Sequence, residues 1–71
     1  MNKTLPFLVR VEYIPSVLEV PVRMVLSRYQ GKSFLERCIL PVVPETVSYG
    51  LNQIIEDFRA NGSGEPEPEV A

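Results

Sequence analysis

The stretch Leu5-Pro6-Phe7-Leu8-Val9-Arg10-Val11-Glu12-Tyr13-Ile14 alternates with a period of two. Phe7, Val9, Val11 and Tyr13 fall on one side of an extended chain, and Leu8, Arg10, Glu12 and Ile14 on the other. β-Branched and aromatic residues at that period make a half-buried strand, here over 6–14. Pro6 has no N–H to give to a ladder and belongs at the strand's start or on an edge. Pro15-Ser16 ends the run.

Outward from this strand, the segment from Val17 to Tyr29 supports two readings. As a strand over 17–29 it is rich in Val and Leu, and the turn Gln30-Gly31-Lys32 leads on to a further apolar run, as in a hairpin. As a helix over 21–30, Pro21 takes the first position and Val22, Val25, Leu26 and Tyr29 form a stripe. The even set Val22, Met24, Leu26 and Arg28 and the odd set Arg23, Val25, Ser27 and Tyr29 separate poorly into faces. The strand is preferred and the helix kept as the alternative. A third strand over 33–40 carries Phe34 to Leu40, with Leu35 and Ile39 flanking Arg37 on one side and Phe34, Cys38 and Leu40 on the other.

After Pro41 the period changes, because Val47, Leu51, Ile54, Ile55 and Phe58 recur at helical spacing. One amphipathic helix is expected over 44–60, with Pro44 and Glu45 in its first turn, Arg59 in its last and Asn61-Gly62 as its stop. Gly50 inside it costs about 1 kcal/mol relative to alanine and points to a close contact beneath the helix. The fold class is therefore α+β: a small antiparallel sheet packed by one C-terminal helix. Residues 1–61 make one compact domain. The alternating Pro and Glu of 62–71 form an acidic, disordered tail.

A chain of 71 residues has room for one small core, and a content of 45% hydrophobic and 23% charged residues is that of a folding chain. Its net charge of −2 conceals an asymmetry. Through Arg37 there are six basic residues against three acidic ones, whereas the remainder has Arg59 against six acids. The basic half suits contact with an acidic protein surface or a phosphate backbone. A short N-terminal apolar stretch interrupted by Arg10 fits neither a signal peptide nor a membrane span, so a cytoplasmic location is expected.

The residue inventory argues against catalysis. The chain has no histidine, no tryptophan and a single cysteine, Cys38. Histidine is the usual acid–base group near neutral pH and the usual partner of a nucleophile. One thiol without histidine makes neither a tetrahedral metal site nor an internal disulfide, and the glycines form no phosphate-binding loop. Glu56 and Asp57 are adjacent on the helix and point apart. No enzyme activity, cofactor, metal or small-molecule substrate is expected.

Binding to a protein requires less. An edge strand can extend a partner's sheet, and Arg and Tyr are favoured interface anchors, which makes Arg10, Tyr13, Arg23, Arg28, Tyr29 and Arg37 the candidate partner-binding residues. A nucleic-acid-binding regulator that uses a basic sheet face is the second reading, opposed by a pI near 5.0. A homodimeric adaptor or subunit is the third. Taken whole, the N-terminal run Met1 to Pro15, the body to Asn61 and the acidic end Gly62 to Ala71 resemble the small transcription regulators of lytic bacteriophages that bind host RNA polymerase. The resemblance rests on the entire chain, and no residue role is carried over. It implies attachment to a bacterial RNA polymerase subunit, inhibition of host transcription initiation and altered termination during elongation.

Overall fold

In the computed structural model, which describes residues 5–62, the elements run β1 (Phe7–Ile14), β2 (Arg23–Gln30), β3 (Ser33–Pro41), α1 (Pro44–Tyr49) and α2 (Leu51–Asn61). The strands form one antiparallel sheet in the order β1-β2-β3. This is the α+β class expected from the sequence. Apart from Gly62, the acidic tail lies outside the described residues.

The ambiguous segment is the central strand, and the helix over 21–30 is ruled out. β2 pairs with β1 on one edge and with β3 on the other, and its residues Met24, Val25, Leu26 and Ser27 are all buried. A strand buried on both sides has no reason to alternate apolar and polar residues, hence the poor separation of its two sets. It begins at Arg23 rather than Val17. Residues 17–22 belong to the connection, in which Val17 and Val20 exchange two backbone hydrogen bonds of 3.1 and 2.8 Å. Pro15 and Pro21 supply no N–H groups and interrupt the ladder between that bridge and the Ile14–Arg23 pair.

The β2–β3 connection is a two-residue hairpin turn between Gln30 and Ser33. Gly31 adopts φ 62° at its first central position, which glycine reaches without strain. One residue is out of step in β3: Arg28 pairs with Glu36 while Tyr29 pairs with Phe34, so Leu35 is extra. The bulge transfers Phe34 to the side of Arg37, away from Cys38 and Leu40, contrary to the strict alternation expected of this strand.

The C-terminal helix is divided in two. Gly50 has φ 109° and ψ 113°, values outside any helix, and separates α1 from α2. An added Cβ there would meet Gln53 Cβ at an ordinary 3.6 Å. Backbone conformation, rather than a close contact beneath the helix, is what requires glycine at this position. Pro44 opens α1, and Thr46 Oγ1 accepts the Val43 N–H at 2.8 Å. At the far end of α2 the Gly62 N–H donates to the Phe58 carbonyl at 2.8 Å, in keeping with the expected stop.

Phe58 of α2 joins Met24 and Leu26 as the buried centre, ringed by Val9, Val11, Cys38, Leu40, Val42, Leu51, Ile54 and Ile55. These strand residues share one face of the sheet, and the helices cover that face alone. The sign of one substitution tests the divided helix. Gly50→Ala is expected to destabilise the protein by about 1–3 kcal/mol in urea unfolding, because alanine is strained at that backbone conformation. A continuous helix would give the opposite sign, a gain of about 1 kcal/mol.

Candidate functional site

Register divides the six candidate residues between two faces. Arg28 lies in line with Leu26 and Met24 and opposite Val9, on the face beneath the helices, whereas Arg10, Arg23, Tyr29 and Arg37 lie on the uncovered face. Tyr13 belongs to the helix-side set with Val9 and Val11 but stands at its end, more than half exposed.

Arg28 is committed to the fold. Its Nε donates to the carbonyl of Arg59 at 3.0 Å, in the last turn of α2, where carbonyls without helical partners carry the negative end of the helix dipole. Its Nη1 lies 3.5 Å from Glu36 Oε2 of β3. The guanidinium carbon is 4.2 Å from the centre of the Phe7 ring of β1. With 11% of its side chain exposed, Arg28 has little left to offer a partner.

On the uncovered face, Arg37 lies across the centre of the sheet. Its Nε donates to Ser27 Oγ at 3.2 Å, and its guanidinium carbon is 5.2 Å from the centre of the Phe34 ring. Tyr29 meets Phe34 edge-on, with ring centres 5.7 Å apart. Ser27 is buried, so the one hydroxyl in the run 24–27 is matched by a donor from the neighbouring strand. Arg10 pairs loosely with Glu12 at 3.9 Å, both well exposed, a contact of little energetic weight. Arg23 is half-buried, and its Nε has no hydrogen-bond partner among the described residues.

Around these cations Leu8, Phe34 and Ile39 are each about half exposed. They were absent from the sequence-based candidates. Leu8 shares the parity of Arg10, and Ile39 that of Arg37, a signal present in the alternation; Phe34 reaches this face only through the bulge. The result is an apolar sheet surface carrying three arginines and, among acids, Glu12, although the chain as a whole is net negative.

The helix side has a cleft of about 380 Å³ bordered by Leu40, Cys38, Tyr49, Asp57 and Phe58. Gln53 Nε2 donates to Asp57 Oδ1 at 2.9 Å within α2, and Tyr49 Oη donates to Asp57 Oδ2 at 2.7 Å, linking α1 to α2 across Gly50. That hydrogen bond, followed by the Asp57 charge, pushes the Tyr49 phenol up and keeps it protonated. Burial, and behind it the charge of Glu36, pushes the Cys38 thiol up as well. The thiolate is the reactive form, so Cys38 is a poor nucleophile here. Among the described residues, no three His, Cys, Asp or Glu side chains gather in a way that could hold a metal ion. No helix there is long and apolar enough to cross a membrane.

Comparison with protein-family models, curated proteins and solved structures finds no match.

Two measurements check these assignments. Arg28→Ala is expected to cost about 2–3 kcal/mol, since Glu36 and the end of α2 lose their partner. For a domain of this size the melting temperature should fall by about 10–20 °C. Cys38 should react with iodoacetamide at neutral pH more slowly than a cysteine in an unstructured peptide, and urea should abolish the difference.

Proposed function

We propose that this protein is a non-enzymatic regulator that acts by binding another protein through the uncovered face of its sheet. The observation that carries the reading is the arrangement of Arg37, held by Ser27 and laid over Phe34, amid Leu8, Tyr29 and Ile39. An arginine already ordered by the sheet loses little rotamer freedom on binding, and its apolar surroundings can be desolvated at modest cost. Arginine and aromatic anchors of this kind dominate interface energetics. The excess of positive charge on the face suits an acidic partner surface, which also speeds encounter.

The partner we propose is a bacterial RNA polymerase subunit, with inhibition of host transcription initiation and altered termination as the consequence, in the host cytoplasm. Support for this step is the whole-chain resemblance to phage transcription regulators, together with a sheet face left uncovered by the helices and few groups suited to catalysis. The test is retention of purified bacterial RNA polymerase by the immobilised protein, coupled to run-off transcription from a host promoter. Wild type should retain the enzyme and lower the run-off product. Arg37→Glu should weaken retention about tenfold or more while the far-ultraviolet spectrum remains that of the folded protein. Failure of wild type to retain polymerase, or equal retention by Arg37→Glu, would contradict the proposal.

A second reading is favoured by one observation, the Tyr29–Phe34 pair with Arg37 alongside, which could serve as a stacking platform for single-stranded nucleic acid. Such binding would be detectable on bare RNA or DNA and would weaken steeply as salt rises.

A further inference from the structure

The sheet has two outer edges, and they are not equivalent. Antiparallel strands alternate between residues whose N–H and C=O point at the neighbour and residues whose groups point away. The Gly31 N–H bonds to the Pro6 carbonyl at 3.0 Å and Pro6 falls opposite Gly31 in register, so the even residues of β1 bond inward to β2. The N–H and C=O groups of Phe7, Val9, Val11 and Tyr13 therefore point outward. No backbone or side-chain hydrogen bond among the described residues engages them. The same reasoning from the Val42 N–H to Val22 carbonyl bond, 2.8 Å, leaves β3 with outward groups at Arg37 and Ile39, followed by Pro41, which has no N–H. The bulge at Leu35 shortens that edge further. β1 is the edge able to accept another strand.

Its side chains identify the strand it fits. Only odd residues can form hydrogen-bonded pairs across a β1–β1 junction, which leaves few antiparallel registers. Setting Val9 opposite Val11 puts Arg10 against Arg10, and setting Val11 opposite Tyr13 puts Glu12 against Glu12; both are repulsive. Setting Val9 opposite Val9 faces Arg10 with Leu8. With Val11 opposite Val11, every pair is complementary: Arg10 faces Glu12, Glu12 faces Arg10, Leu8 faces Ile14, and Val9 faces Tyr13. The charged and aliphatic pairs then occupy non-hydrogen-bonded sites, where side chains come closest. Arg10 and Glu12 are free to swing across, their side chains being 65% and 56% exposed and their mutual contact long at 3.9 Å.

We propose that two copies of this chain pair β1 to β1 about a two-fold axis midway between their Val11 residues, making one six-stranded antiparallel sheet. The axis is perpendicular to the sheet, so both helix layers lie on one side and both uncovered faces on the other. The two Arg10–Arg37 surfaces become one continuous face, and an interface of this isologous kind closes on itself. The proposal does not depend on the identity of any other partner.

Sedimentation equilibrium over a concentration series into the high micromolar range tests it. Wild type should approach twice 8.0 kDa. Arg10→Glu places acids against acids in the proposed register and Glu12→Arg places bases against bases, so each variant alone should remain monomeric, with an unchanged far-ultraviolet spectrum. Mixed together, the two variants should form a heterodimer, because every charged pair is then opposite in sign. A wild-type mass of 8.0 kDa throughout would overturn the proposal. So would two variants that dimerise separately, or that stay monomeric when mixed.

Discussion

One guanidinium ties both outer strands and the end of α2 to the central strand. Arg28 stands on the central strand and contacts all its neighbours at once: the Phe7 ring of β1, the Glu36 carboxylate of β3 and the last-turn carbonyl of Arg59 in α2. A planar fork of fixed donors can satisfy a carboxylate and a helix end together, which a lysine ammonium would do less well. Among the described residues, the buried apolar centre beneath the helices is Met24, Leu26 and Phe58. With so little area removed from water, non-directional burial specifies poorly where α2 should end, and a charge-assisted hydrogen bond to the helix terminus supplies that direction.

The helices thereby settle on one face of the sheet, and the other is left to its own side chains. A three-stranded sheet without a second layer would expose its central strand, yet Val25 and Ser27 are nearly inaccessible. They lie beneath the side chains of the flanking strands, Arg37 among them, which bonds Ser27 and lies over Phe34. The same cover concentrates cations and half-exposed apolar groups on one surface. Two arginines thus have opposite placements, Arg28 tying the sheet to α2 and Arg37 lying over the uncovered face.

Much of this was legible before the structure. The alternation of 6–14, the Gly31 turn, the strand through Cys38 and the stop at Gly62 follow from local chemistry, and β1 keeps the face assignment read from its residues. What local patterns did not decide is where neighbours intervene. β2 does not alternate because it is central; Phe34 changes sides because of a bulge that only pairing reveals; Gly50 interrupts the expected helical stripe and leaves Val47, on the α1 side of it, exposed. Of the six candidate residues, four gather on the uncovered face. Arg28 could have been set apart earlier, since its set Val22, Met24, Leu26 contains the most apolar residues of the strand and is the natural floor for a helix.

We propose that the uncovered face, not the helix layer, meets the partner. Methyl cross-saturation from unlabelled bacterial RNA polymerase to the methyl-labelled protein tests it most directly. Leu8 of β1 and Ile39 of β3 should lose intensity, while Leu51, Ile54 and Ile55 of the helix layer keep theirs. Saturation centred on α2, with Ile39 unaffected, would place the contact on the helix layer instead.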